Sequence, residues 1–538
     1  MNRRKFIHRT AAGVASAASI PALANYVHPA IRTIYSNDTT HIMSCQRPED
    51  RRADFTDELL AKSITEAAGV DAHFLQPGLG WMPWWKSKIY PAADHYAWLR
   101  EEHGVKGVQT VGRYLMEGGD MLATLVDTCR KIGVAPFLSF RLNDGHHVRD
   151  LKEAIRRDKP TANMARHYWD NYKRFRIGPD LISWDDGVFD WSIAEVRDYK
   201  FALIEEACAN YDIAGLELDF LRHWVRFGSK TNADQRFEIT TAFVRRIREM
   251  LDQTAAARGL PRRWLCVRVP ANAAVRPEQG VDLAALAKAG VDMINLSYSY
   301  FTWQDESVRR AHEEVGDSAS IYAEMTHTTM TGKATAGSGT QPFLRTTDEQ
   351  FYTTARLAYQ QGAQGLSLFN FPYYRYHVTD TIGPFHEPPF HVLPRLKDRA
   401  FLDTQAQWAF LSSGRKDAIL GDRLLPAVLN KGEPQRFPLL MLPCAKGHAG
   451  GVLRLRSDEP IADRRIEVSF NGVQLEGVAP VSMPLQHSYA GTWLGESEEL
   501  ACYALSASVP IHDKNEVTVT VKEGIRVRLI YVDATLPR

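Results

Sequence analysis

Three acidic side chains stand where short apolar runs end: Glu217 and Asp219 in Gly215-Leu-Glu-Leu-Asp-Phe-Leu, and Glu324 in Ile321-Tyr-Ala-Glu-Met-Thr. If both runs are strands of one parallel sheet, Asp219 and Glu324 lie at strand ends that face each other, and Glu217 sits one inward position deeper, roughly 6 to 7 Å along its strand. Cleaving a glycosidic bond takes one carboxyl to protonate the leaving oxygen and a second to attack the anomeric carbon or activate water, so convergent carboxylates suit that chemistry. The competing use of these acids is internal ion pairing with Arg141 and Arg268 on neighbouring runs, which costs desolvation and requires no function. Glu217 fits internal pairing better, whereas Asp219 and Glu324 fit catalysis.

Around these acids the sequence places groups suited to holding a sugar. Trp84 and Trp85 follow the first apolar run in Gly-Leu-Gly-Trp-Met-Pro-Trp-Trp, and aromatic faces pack against sugar rings, although such a loop can also simply fold onto the protein. Arg141, Asn143, Asp144 and His146 end one run, Arg222 and His223 follow Asp219, and Arg268 closes another. Tyr298, His327, Asn370 and Tyr373 follow later ones. Guanidinium forks match carboxylate and sulfate, so the arginines either pair internally or favour an anionic sugar. Asp144, His146, His147, His223 and His327 could ligate a metal, but their spacing is a poor match to known metal sites, and they read better as hydrogen-bonding partners. Neither a metal nor an organic cofactor is expected.

Something must carry these residues, and the pattern between about 68 and 371 supplies it. Eight short apolar runs alternate with longer amphipathic stretches: 72–76, 107–111, 134–143, 215–221, 264–270, 293–299, 320–326 and 365–371. That is the βαβα order of a (β/α)8 barrel, and no Gly-x-Gly-x-x-Gly turn points to a nucleotide-binding sheet instead. Within the runs Leu138, Phe140 and Leu142 alternate with Ser139, Arg141 and Asn143, and Leu216 and Leu218 alternate with Glu217 and Asp219. One face is therefore polar. Barrel interiors are normally apolar, so polar inward residues near the C-terminal ends suggest a functional mouth. Beyond about residue 390 the runs become short and β-branched, with Asn471-Gly472 and Lys522-Glu523-Gly524 as hairpin turns, which predicts an antiparallel β-sandwich. The expected organisation is an export signal over 1–24, the barrel over 41–390 and an accessory sandwich over 391–538.

The whole chain sets limits. Its 538 residues carry 65 Lys+Arg against 64 Asp+Glu, a near balance without a basic stripe, which argues against nucleic acid as a partner. No run is long and apolar enough for a membrane span. The six cysteines show no Cys-x-x-Cys spacing. Arg3-Arg4, a mild Ala/Gly/Ser stretch and Ala22-Leu-Ala resemble a twin-arginine export signal, which implies a periplasmic or extracellular protein.

The segments Gly215-Leu-Glu217-Leu-Asp219-Phe-Leu-Arg222-His223 and Ser139-Phe-Arg141-Leu-Asn143-Asp144-Gly-His146 resemble bacterial glycosyl-hydrolase-like TIM-barrel proteins related to glycoside hydrolase family 10. The resemblance covers most of the barrel and implies a carbohydrate substrate. In the wider clan A the acid/base follows strand 4 and the nucleophile strand 7, which maps to Asp219 and Glu324. The Asn-Glu pair usual at the strand 4 end of that clan is absent here.

Overall fold

A computed structural model describes residues 29–537, apart from 51–53, 80, 179–184, 332–342, 376–386, 412–423, 445–446, 458, 462–464, 480–498 and 524–525. The expected export signal lies outside the described residues. Eight parallel strands close into a barrel: β1 (Thr33–Asn37), β2 (Ala72–Leu75), β3 (Ala135–Arg141), β4 (Gly215–Asp219), β5 (Trp264–Pro270), β6 (Met293–Ser297), β7 (Ser320–Met325) and β8 (Gly365–Phe369). Each pairs with its neighbours in the sequence, and β8 closes on β1 with Thr33 opposite Leu366. Helices α1 (Asp57–Thr65), α2 (Met121–Ile132), α3 (Ala194–Asn210), α4 (Ala233–Ala257), α5 (Leu283–Lys288), α6 (Ser307–Val315) and α7 (Asp348–Gln360) follow strands β1 to β7 in turn. Side-chain caps fix several starts: Thr56 and Asp120 accept the Leu59 and Ala123 N–H groups, and Asn232 with Gln235 and Thr347 with Gln350 form capping boxes.

Seven of the eight expected strands are present. Residues 107–109 are instead exposed or half-buried coil, and Gln109 precedes a helix over Thr110–Met116. The missing strand is β1, ahead of residue 41, where the sequence Thr-Ile-Tyr-Ser-Asn was too short and too mixed to stand out.

The two faces of each strand part company as the alternation requires. Leu138, Leu216, Leu218, Leu265 and Val267 join the large core beneath the helices, while Ile34, Phe74, Phe137, Cys266, Met293 and Tyr322 form a separate cluster inside the barrel. That inner cluster is the floor at the N-terminal end of the strands. Phe74 stacks on Phe137 with ring centroids 4.4 Å apart, and Gly215 is glycine because a Cβ there would come within 2.1 Å of the Phe137 ring. Above the floor the register sets Glu217 between Ser139 and Cys266, then Asp219 between Arg141 and Arg268. The interior thus turns polar toward the C-terminal end.

The C-terminal part is a two-sheet antiparallel sandwich. Its longer strands are β9 (Gln407–Leu411), β10 (Ala427–Asn430), β11 (Gln435–Leu440), β12 (Gly451–Ser457), β13 (Ile466–Phe470), β14 (Leu500–Leu505), β15 (Lys514–Val521) and β16 (Arg526–Leu536), with two-residue strands at Val473–Gln474 beside β13 and Gly477–Val478 beside β14. One sheet runs β9-β16-β12-β14, with β10 also on β16, and the other runs β11-β15-β13. Asn471 and Gly472 have φ of 49° and 79° and close a tight hairpin between Phe470 and Val473. The segment after Val521 is no hairpin: β15 and β16 lie in different sheets, so the chain crosses between them there.

Leu453, Leu455, Val532 and Ala534 fill the sandwich core, which turns Arg454, Tyr531 and Asp533 to the opposite face, toward the barrel. That contact is buried and carries several hydrogen bonds. Gln350 of α7 donates to the Tyr531 hydroxyl (2.9 Å), Thr353 accepts the Trp408 N–H (2.8 Å), and Gln304 accepts the Phe410 N–H (3.0 Å). Arg454 Nε donates to Asp533 at 2.6 Å, with both side chains at most 1% exposed, beneath the Trp408 ring. Removing one partner strands the other charge, so Asp533→Ala is expected to lose about 3–5 kcal/mol in guanidinium denaturation, while the double replacement Arg454→Met with Asp533→Leu stays near wild type or above it. Equal losses in the single and double variants would show that the pair does not act as a buried charge pair.

Candidate active site at the barrel mouth

Strands β3, β4, β5 and β7, joined by the residue after β1, bring a chain of alternating charges to the mouth. Asp38 accepts from Arg141 Nη2 at 2.6 Å, Arg141 Nε lies 3.9 Å from Asp219, Arg268 Nη1 donates to Asp219 at 3.1 Å, and Arg268 clasps Glu324 through Nε (2.6 Å) and Nη2 (2.7 Å). All five side chains are 6% exposed or less. Burial disfavours the charge of Arg268, but Glu324 and Asp219 outweigh that and raise its pKa further. Burial in turn pushes Glu324 above the usual carboxylate range against the pull of Arg268 and Ser297, whose hydroxyl also donates to it.

One layer deeper, Glu217 touches no guanidinium. It accepts from Ser139 Oγ (2.6 Å), Asn295 Nδ2 (3.3 Å) and, at 3.6 Å, the Cys266 thiol. Full burial, with the negative charge of Asp219 adding to it, pushes its carboxyl up to about 7. Asn295 also reaches Glu324 at 3.4 Å and so ties the two layers together.

On the side of β3 and β4 the loops build a second group. Asp144 Oδ1 accepts from the backbone N–H of His146 (2.9 Å) and faces its Nδ1 (2.6 Å), while Oδ2 meets Gln76 (3.3 Å) and Arg141 (3.5 Å). His146 Nε2 lies 2.6 Å from Arg222 Nη2. A guanidinium only donates, so Nε2 accepts and Nδ1–H points to Asp144. His223 Nδ1 accepts the Gly145 N–H at 2.9 Å, and burial pushes its imidazole well below the usual range, in keeping with an acceptor. Burial alone would raise Asp144, but His146 and Arg141 hold its carboxyl well below the usual range. One ligand atom from each of Asp144, His146 and His223 lies within 4.8 Å of the others, a spacing that could hold a metal. The surroundings oppose it: Arg222 occupies the His146 lone pair, and Arg141 adds a second cation.

Backbone strain gathers at the same end. Among the described residues six non-glycine residues have positive φ, and four of them, Trp81 (71°), His223 (52°), Ser299 (61°) and Asn370 (53°), lie in loops after β2, β4, β6 and β8. Such conformations persist where the surroundings over-determine them, and they cluster at functional sites.

The remaining expected residues fall outside this cluster. Trp84 and Trp85 are 6% and 3% exposed and belong to the core, with Trp85 Nε1 donating to Glu206 (3.1 Å) and its ring edge-on to Phe140, because the loop folds down over the strand ends. Asn143 donates to the carbonyls of Phe189 (2.9 Å) and Val225 (3.1 Å) and pins two loops. Tyr298 turns toward α6, where its hydroxyl donates to Asp305 and its ring stacks on Trp303. His327 partners Arg345, whose other arm holds the Tyr373 carbonyl at 2.7 Å, and Asn370 is fully buried.

Two site residues escaped the sequence reading. Asp38 went with β1, although Thr33-Ile-Tyr leading into Ser-Asn-Asp shows the same apolar-to-acid ending as β4. Lys200 of α3 carried no signal: it is buried, donates to the Arg141 carbonyl (3.2 Å), sits 3.9 Å from the Trp81 ring centroid, and is pushed down to about 8 by burial.

No family model matches the chain, and no curated protein does. Solved structures similar to it include an Anoxybacillus alpha-amylase (11% identity, 92% of this chain and 98% of that one, TM-score 0.37). Others are alpha-L-fucosidase isoenzymes 1 and 2 from Paenibacillus thiaminolyticus, with identities of 15% and 14% and TM-scores of 0.34 and 0.40. The first spans 91% of this chain and 96% of that one, the second 70% and 49%. Likenesses of this size assign no activity to this chain.

Two outcomes follow from the geometry. Trp85→Ala is expected to cost about 3–5 kcal/mol of stability in urea denaturation, as for a buried aromatic; little loss of stability with weakened sugar binding would return Trp85 to the rim. Because the folded protein holds the Glu217 proton more tightly than the unfolded chain, this group's contribution falls as pH rises from about 4.5 to 7 and is level beyond, a change on the order of 3 kcal/mol. Glu217→Gln, whose amide can donate to Ser139 and accept from Asn295, should remove that slope from thermal melts taken across this range. An unchanged pH slope would show that Glu217 is ionised throughout.

Proposed function

We propose that this chain is a glycoside hydrolase acting on an oligo- or polysaccharide outside the cytoplasm, with Asp219 and Glu324 as the reacting carboxyls. The observation that carries this reading is the convergence of Glu217, Asp219 and Glu324 at one end of the barrel in different environments. Bond cleavage needs one carboxyl ionised and one able to deliver a proton, and sites that do both set their acids apart through their surroundings. Arg268 donates to both oxygens of Glu324, which fixes that carboxyl in position to serve as the nucleophile. Asp219 occupies the acid/base place by resemblance to clan A, and Glu217, behind it, retains a proton near neutrality and is the alternative donor. No step needs an organic cofactor. Export by way of Arg3-Arg4 belongs to the same reading, and the sandwich over 391–538 serves as an accessory packed against α7.

One observation favours a second reading, a carbohydrate-binding barrel without turnover: Arg268 bridges both acids and ties them up in a buried ion pair. A panel of plant, algal and microbial glycans separates the two, since only the hydrolase releases new reducing ends. With a cleaved glycan in hand, Asp219→Asn and Glu324→Gln are each expected to cut turnover at least ~100-fold in protein still folded at the assay temperature, although each leaves Arg268 short of a counter-ion and melts lower than the wild type. Wild-type rates in both variants would dismiss the pair, and binding without cleavage by the wild type would establish the second reading.

A further inference from the structure

Three arginines reach the mouth, and the carboxylates sort them. Arg141 is paired with Asp38, and Arg268 with Glu324 and Asp219. Arg222, three residues past Asp219 and so at most about 11 Å from it along the chain, has no carboxylate at ion-pair distance among the described residues. Its terminal nitrogens donate instead to the Tyr300 hydroxyl and to His146 Nε2. A half-buried guanidinium has lost part of its hydration, and neutral acceptors return less than an anion does.

The donors left over fit an anion. Of the five N–H groups of Arg222, the one on Nε is buried, and one on each terminal nitrogen is engaged. One N–H on each terminal nitrogen is left. Tyr300 accepts from Arg222 and keeps its own O–H to donate. His146 can offer nothing in return, because its lone pair is taken and its N–H is fixed on Asp144. That fixed imidazole also orients the guanidinium, so the fork is held in place before any ligand arrives.

We propose that Arg222 and Tyr300 form a subsite for an anionic group on the sugar, the carboxylate of a uronic acid or a sulfate ester, beside the acids that cut the chain. The inference rests on the saccharide reading above and narrows it to acidic glycans. Both groups present paired oxygens to a guanidinium, which is the chemistry they share.

The test uses the full chain and matched disaccharides, one neutral, one bearing a uronate and one bearing a sulfate, with affinities from titration calorimetry at low and high salt. At least one acidic disaccharide is expected to bind the wild type about tenfold or more tightly than the neutral one, with a preference that shrinks as salt rises. Which of them binds tells carboxylate from sulfate. Arg222→Gln should bring the acidic-to-neutral ratio close to one, and Tyr300→Phe should lower it by a smaller factor. Equal wild-type affinities for all three disaccharides overturn the subsite, as does a preference that survives in an Arg222→Gln protein of wild-type melting temperature. The wild-type comparison decides even if a variant fails to fold. Cleavage of the neutral sugar with no acidic preference removes the subsite and leaves the hydrolase standing, whereas Arg222-dependent binding without cleavage of any glycan leaves the subsite standing and removes the hydrolase.

Discussion

The guanidinium of Arg268 is the part on which the mouth depends. It reaches from β5 to Asp219 on β4 and to Glu324 on β7, three side chains almost without solvent. Ions taken out of water keep their charge only when opposite charges and hydrogen bonds replace the lost hydration. Here the replacement extends around half the barrel, as Asp38, Arg141, Asp219, Arg268 and Glu324 alternate in sign. No member can leave without stranding a neighbour. The acids are therefore held in place by their counter-ions rather than by packing alone.

The layering beneath them explains why one acid differs from the rest. Phe74, Phe137, Met293 and Tyr322 make the floor apolar, and the charge chain lies at the top. Glu217 falls between, in a layer of Ser139, Cys266 and Asn295 that offers hydrogen bonds but no cation. Asp219 thus meets guanidinium groups, whereas burial without one pushes Glu217 up to about 7, although the two carboxyls are only one inward position apart on the same strand. A difference of one register step converts into a difference of partners, guanidinium groups above and a hydroxyl, a thiol and an amide below.

Much of this was legible in the sequence because a barrel strand writes its two faces at period two. The alternation in Leu138-Ser139-Phe140-Arg141 and in Leu216-Glu217-Leu218-Asp219 specifies which residues point inward, and the register sets them opposite one another as that phase requires. The pairing of those residues was not legible, since it depends on which strands adjoin: Arg268 meets Glu324 across β6, which nothing in either segment announces. Loops were harder still. Trp84 and Trp85 carry the same residue types whether they rim a groove or fold beneath it, and only the tertiary path puts Trp85 against Glu206 and Phe140. Asp38 was lost for a different reason: five residues of mixed polarity make too little pattern to mark β1 as a strand.

Asp144 joins the two halves of the mouth, and its two oxygens do different things. Oδ2 faces Arg141 and Gln76 and so belongs to the charge chain, while Oδ1 takes the N–H groups of His146 and so belongs to the Arg222 side. A carboxylate can serve both only if it stays ionised, and its contacts with Arg141 and His146 hold it far below the range in which it would take up a proton. The imidazole accepts from Arg222 through Nε2 in the tautomer that carries its hydrogen on Nδ1, the one the Asp144 contact favours. The orientation of Arg222 at the rim is thus set from inside the barrel, through a carboxylate and an imidazole, by Arg141, which also lies 3.9 Å from Asp219.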